Sequence, residues 1–248
     1  MKLIDLAKTH KTDKLSHGYL KVYDSIFAKI QDRRINFLEI GVYQGQSASL
    51  WSAYFNNAEI FMSDIFDKSN MLSKFNIHFF KGDSGGQKYA DNLMSFAQEK
   101  TGKDFFDVII DDGSHFQYDQ MNGIGNLFPH LSPGGYYIIE DICKEERLKN
   151  GSMWWGHSSE PHHSTPGPCH AGSQLRSDEE WLAGDKIDFS ACTDATIKSF
   201  LNTNIFSSKF LTDGQNEYIT KNTDTIDYYS DENILNCSSK LAVFKKKK

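Results

Sequence analysis

Apolar positions along the first 142 residues switch between two periods. In 17–30, Tyr19, Tyr23, Ile26, Phe27 and Ile30 recur at helical spacing, which predicts an amphipathic helix. Residues 35–42 form a compact apolar strand broken by Gly41 and Gly45, and 47–55 return to helical spacing through Leu50, Trp51, Tyr54 and Phe55. Short strands are predicted at 59–64 and 77–80, a helix over about 87–98, and the clearest strand at 106–110, ending in Asp111-Asp112-Gly113. A helix over about 118–128, a turn at 131–135 and a buried strand at 136–140 follow. Strands alternating with helices in this way predict an α/β fold, a doubly wound and mostly parallel sheet.

Past Cys143 the periodicity stops, and 150–176 read as a long loop rich in Gly, Ser, Pro and His. A helix near 193–201 and two closing strands, 226–229 and 240–244, complete the pattern, the last one antiparallel to the rest. At 248 residues the chain suits a single domain. Residues 1–34 form an N-terminal helical lid segment, 35–142 the core that binds ligands, 143–192 an acceptor-side loop, and 193–248 the closing helix and strands.

The net charge of −6 argues against a nucleic-acid groove, which needs a surplus of Lys and Arg. Lys245 to Lys248 read as a solvated basic tail. The four cysteines form no C-x-x-C pair, which fits reduced thiols and a cytoplasmic protein. No apolar run is long enough to span a bilayer, so no membrane partner is expected. A homo-oligomer remains open.

The run Glu39-Ile40-Gly41-Val42-Tyr43-Gln44-Gly45-Gln46-Ser47 leaves a strand and opens a helix. Glycines there let backbone approach a ligand, and free N–H groups of the helix face it. The G-x-x-x-G spacing departs from the dinucleotide fingerprint, which favours a nucleoside or zwitterionic ligand over a pyrophosphate. Asp64 ends the second strand, where a carboxylate can accept from a ribose diol; Asp83 and Ser84 close the third, in reach of an adenine.

Two strand ends concentrate acid: Asp111-Asp112-Gly113-Ser114-His115 and Glu140-Asp141. Fourth and fifth strands are neighbours in a doubly wound sheet, and carboxylates converging there repel unless a cation joins them. Hard oxygen ligands suit Mg²⁺ or Mn²⁺ better than zinc. His115, three residues past Asp112, is placed to act as a general base on a substrate hydroxyl.

These segments, with Phe37-Leu38-Glu39-Ile40-Gly41-Val42 and Pro133-Gly134-Gly135-Tyr136-Tyr137-Ile138-Ile139-Glu140-Asp141, resemble the metal-dependent sugar O-methyltransferases of macrolide and related glycoside biosynthesis. Lys11-Thr12-Asp13-Lys14, followed by His17, Tyr19 and Tyr23, is similar to that family's N-terminal signature. The likeness runs from about Lys11 to Ile142. It implies a class I methyltransferase fold that uses S-adenosylmethionine and Mg²⁺ (or Mn²⁺). Carried over by motif, Asp112, Glu140 and Asp141 would hold the metal and His115 would be the base. Thr12 and Lys14 would sit near the cofactor or the lid above it, and Asp111 joins Glu39, Gly41, Gly45, Ser47, Asp64, Asp83 and Ser84 on the cofactor side.

The expected acceptor is a small-molecule sugar, nucleotide-activated or within a glycoconjugate, in bacterial surface-glycan (polysaccharide) or natural-product synthesis. A catechol-type methyltransferase and a non-catalytic cofactor-binding module are the competing readings. His157, His162, His163, Cys169 and His170 match no zinc-finger spacing, and 156–172 are expected to form a lid over the acceptor.

Overall fold

The computed structural model describes residues 2–86, 88–115, 117–142, 192–230 and 240–248. The proposed lid at 156–172 lies outside them.

Strands β1 (Asn36–Ile40), β2 (Glu59–Asp64), β3 (Ile77–Lys81), β4 (Phe106–Asp111), β5 (Leu131–Ile142), β6 (Thr223–Tyr229) and β7 (Lys240–Lys246) form one sheet in the order β3-β2-β1-β4-β5-β7-β6. The first five are parallel, and β7 runs antiparallel to both its neighbours. Strand order reverses between β1 and β4, which opens a crevice at their carboxyl ends, where ligands bind in such sheets.

One face is covered by α1 (Leu3–His10), α2 (Asp13–His17), α3 (Tyr19–Phe27) and α4 (Gln46–Tyr54). The other carries α6 (Tyr89–Thr101), α7 (Gln117–Leu127), α8 (Thr193–Thr203) and α9 (Asp213–Asn222). A short α5 (Ser69–Leu72) precedes β3. The strands alternate between the two cores as the pleat demands. Phe37, Val108, Ile110 and Ile138 pack with Tyr23, Phe27 and Trp51; Leu38, Ile40, Ile109 and Ile139 pack with Leu93, Ile124 and Ile197. The ring centroids of Phe37 and Trp51 lie 5.3 Å apart and those of Phe27 and Trp51 5.7 Å apart, so an aromatic cluster fixes α3 and α4 on β1.

The same alternation aims the acids. Glu39 shares a face with Phe37, Asp112 with Ile110, and Glu140 with Ile138, so all three turn toward the N-terminal helices. Asp141 should then face the other way, but β5 carries a bulge. Ile139 pairs with Ala242 and Ile142 with Lys240, leaving Glu140 and Asp141 opposite Leu241 alone. Asp141 takes a left-handed backbone (φ 52°) and comes round to the side of Glu140.

Several boundaries differ from the sequence expectation. The predicted helix at 17–30 is split by Gly18 (φ 87°) into α2 and α3. The turn expected at 131–135 lies inside β5, whose pairing with β4 jumps from Phe106↔Leu131 to Val108↔Tyr136. The basic end is no solvated tail as far as Lys246: β7 runs through it, and its buried ammonium donates to the carbonyls of Phe128 (3.2 Å), Pro129 (2.9 Å) and Leu131 (2.7 Å). Helix α1 falls within the segment expected to be helical, whereas no apolar pattern in the sequence announces α5 and α9. In α9 only Ile219 is buried, so no apolar stripe betrays it; its signal is the Thr212/Gln215 capping box.

Candidate active site

A cavity of about 640 Å³ lies over the carboxyl ends of β1, β2 and β4, a size suited to a small-molecule ligand. Among the residues singled out in the sequence, Thr12, Lys14, Gly41, Ser47, Asp64, Asp83, Ser84, Asp112, His115 and Asp141 line it, whereas Glu39, Gly45, Asp111 and Glu140 do not.

On the β1 side Gly41 has φ +94°, and a Cβ there would lie 1.9 Å from the Asp112 carbonyl oxygen. Only glycine lets the β1 and β4 ends come this close, and the cavity floor depends on it. Gly45 (φ 77°) ends the same loop and starts α4. Asp64 Oδ2 accepts from the Val42 amide (3.0 Å) and Oδ1 from that of Phe66 (2.8 Å), which fixes its carboxylate at the rim. Asp83 is held by the Gly85 amide (3.0 Å). Tyr43, 67% exposed, and Phe66 add aromatic surface that the sequence reading did not single out, and Lys68 Nζ donates to the Tyr43 carbonyl (3.0 Å).

On the β4 and β5 side, ligand atoms of Asp112, His115 and Asp141 all lie within 4.8 Å of one another. His115 Nε2 is 4.0 Å from Asp112 Oδ1 and 3.8 Å from Asp141 Oδ2. His115 (φ 60°), Asp141 (φ 52°) and Tyr43 (φ 47°) all hold left-handed backbone at this cavity. Such strain in residues other than glycine persists where the surroundings fix it, commonly at working sites.

Behind this front row stands a second one that only the structure reveals. Lys14 Nζ meets Asp112 Oδ2 (2.6 Å), both oxygens of Glu140 (2.7 and 2.8 Å) and Glu39 Oε1 (3.0 Å). Trp51 Nε1 donates to the other Glu39 oxygen (3.0 Å). Tyr23 donates its hydroxyl to Glu140, and Gln120 Nε2 donates to the Glu140 carbonyl (3.0 Å). One helical turn before Tyr23, Tyr19 donates to Asp141 Oδ1 (2.6 Å) and accepts from the Asp141 amide (3.3 Å). Two tyrosines four residues apart on α3 thus hold two successive acids of β5, which the bulge makes possible.

Burial alone would lower the Lys14 pKa, but Asp112, Glu140 and Glu39 outweigh it and keep the ammonium protonated far into the alkaline range. Burial raises Glu140 well above the usual carboxylate range, with the charge of Asp112 adding to it against the pull of Lys14. Burial likewise raises Asp112 and Glu39, opposed chiefly by Lys14. One lysine therefore leaves this carboxylate group short of positive charge. Two carboxylates, Asp112 and Asp141, facing an open cavity have the chemistry to take a hard divalent ion in addition, with the His115 imidazole beside them.

Asp111 belongs elsewhere. The pleat sends it to the opposite face, where Tyr137 donates to Oδ2 (3.2 Å) and burial pushes its pKa up to about 7.

No protein-family model matches the chain. It is 32% identical over 149 residues to the mycinamicin VI 2''-O-methyltransferase of Micromonospora griseorubida, a match covering 56% of this chain and 36% of that protein. It is 36% identical over 146 residues to the 8-demethyl-8-(2-methoxy-alpha-L-rhamnosyl)-tetracenomycin-C 3'-O-methyltransferase of Streptomyces olivaceus, covering 55% and 36%. The chain therefore spans little more than a third of the length of the curated relatives it matches. Among solved structures it resembles the MycE methyltransferase of the mycinamycin pathway, in complex with Mg, SAH and mycinamycin VI, with a TM-score of 0.64 and 24% identity over 100% of this chain and 55% of that one. Over rather more than half its length the chain is similar in sequence to O-methyltransferases of mycinamicin and tetracenomycin glycosides, and it is built on the class I methyltransferase fold.

Proposed function

We propose that this chain methylates a sugar hydroxyl, using S-adenosylmethionine and a divalent ion, Mg²⁺ or Mn²⁺. The observation that carries this reading is that Asp112, His115 and Asp141 share one cavity with Gly41, Asp64 and Asp83. When bound, the cofactor supplies an electrophilic methyl and the ion acidifies a coordinated hydroxyl.

The side chains supply the rest. Asp112 and Asp141 turn oxygens to the cavity while Lys14 and Tyr19 pin them from behind, which fixes the direction they offer to an ion. Glu140, the third ligand expected from the resemblance, is buried behind Asp141, gives both oxygens to Lys14 and does not line the cavity. His115 Nε2, between the two aspartates, takes the proton of the acceptor hydroxyl as the methyl arrives. The products are a methyl ether and S-adenosylhomocysteine. Asp64 would hold the ribose and Asp83 the adenine end of the cofactor, and fixing both reactants in one cavity would remove much of the entropic barrier.

The relatives that act on a rhamnosyl-tetracenomycin C and on an L-olivosyl-oleandolide favour a sugar already joined to an aglycone as the acceptor, over a nucleotide-activated one. Labelled S-adenosylmethionine offered with glycosides, nucleotide sugars and catechols, with and without chelator, tests the proposal. Methylation of a glycoside that stops with chelator and returns with Mg²⁺ or Mn²⁺ is expected. Transfer to catechols alone, or transfer indifferent to chelator, would overturn it.

A further inference from the structure

Lys14 is 1% exposed, yet its ammonium sits in a cluster that has the makings of an ion site by itself. Ligand atoms of Glu39, Asp112 and Glu140 lie within 4.8 Å of one another, beside the Asp112–His115–Asp141 group, and Asp112 belongs to both. We propose that Lys14 is a positioning residue, a tethered cation that fills the inner half of a two-part acidic centre and confines a single divalent ion to the outer half. The inference rests on the metal-centre reading above.

Asp112 is the hinge between the halves. Its Oδ2 is bonded to Lys14, and its Oδ1 looks outward toward His115. Carboxylates that bridge two metal ions keep them roughly 3.5–4 Å apart, and Nζ holds the place on Asp112 Oδ2 that a second, bridged ion would take. An ammonium has three donors, carries a single charge and exchanges no ligands. It orients Asp112 and Glu140 without offering substrate a competing coordination site. Lys14 is itself well fixed. Thr12 caps α2 through the Lys14 amide (3.4 Å), Gly18 ends that helix in a left-handed turn, and α3 follows at once with Tyr19 and Tyr23. The N-terminal helices thereby become part of the acidic centre.

Mn²⁺ titration of the full chain by calorimetry and electron paramagnetic resonance tests this. Wild type is expected to bind one Mn²⁺ with the spectrum of an isolated ion. Lys14→Ala should bind two, with the spectrum of a spin-coupled pair, and Lys14→Ala/Glu140→Gln should return to one. A Lys14→Ala chain that binds one uncoupled ion overturns the proposal and leaves the metal-centre reading standing. A wild type that binds none overturns both. Should Lys14→Ala fail to fold, melting of Lys14→Gln gives the answer instead. It should melt about 10 °C below wild type, as expected when a buried charge pair is broken. Millimolar Mn²⁺ should then raise its midpoint further than that of wild type; an equal rise in both would overturn the proposal.

Discussion

Asp111 and Asp112 are neighbours in sequence and live in different worlds. Asp112 turns toward the N-terminal helices, touches Lys14 and reaches the cavity with a quarter of its side chain exposed (24%). Asp111 turns to the α7 face, is buried against Tyr137, and does not reach the cavity. One step along a pleated strand separates a residue of the chemistry from a residue of the core. Two adjacent acids in a sequence are therefore a weak statement about a site until the face of each is known.

Four predictions bear on that contrast. Asp112→Asn and His115→Ala should each lower methyl transfer by about 10²–10⁴-fold with the fold intact, the usual scale for losing a base or its positioning. Turnover and circular dichroism on the same samples check this, and wild-type rates in either variant would remove the assigned role. Asp111→Asn should stay within about tenfold of wild type in turnover, well short of the loss from a catalytic group. A loss equal to that of Asp112→Asn would erase the distinction between the two faces. Gly123→Ala on α7 puts a Cβ 2.8 Å from Asp111 Oδ2 and 2.9 Å from the Tyr137 hydroxyl. Overpacking of that kind should cost about 1–3 kcal/mol in denaturant unfolding, with cofactor affinity little changed. Tyr137→Phe, which strips Asp111 of a hydrogen bond, should cost about 1–2 kcal/mol in the same assay and leave the acceptor KM unmoved.

Much of the arrangement is written in local pattern. Apolar runs of strand length announced β1, β2, β4 and the sheet class, and the acids at strand ends lie at the edge where such sheets bind ligands. The glycine at 41 was legible as a place of close approach, and the structure supplies the partner, the Asp112 carbonyl. What stayed hidden needed distance or backbone detail. The Lys14 cluster joins acids far apart in the chain, up to 126 positions away in the case of Glu140, so no window of sequence contains it. Tyr19 and Tyr23 stood out as an apolar stripe, and nothing in that stripe says that their hydroxyls serve carboxylates. Asp141 in a left-handed bulge is invisible because aspartate carries no mark of it, where a glycine would have. Glu140 and Asp141 both looked like metal ligands, and the bulge puts them on one side with different partners, Lys14 for the first and Tyr19 for the second.

The bulge also has a consequence for how this protein comes to be. Two residues of β5 stand against Leu241 of β7, a strand paired to it from roughly a hundred residues downstream. Pairings so distant along a chain form slowly, after local helices and neighbouring strands. The kink that brings Asp141 beside Glu140 therefore waits for β7 to dock. A nascent chain released or cleaved ahead of Lys240 would hold every acid of the centre and lack the register that turns Asp141, so a strand that lends no side chain to the chemistry decides where one of its acids points.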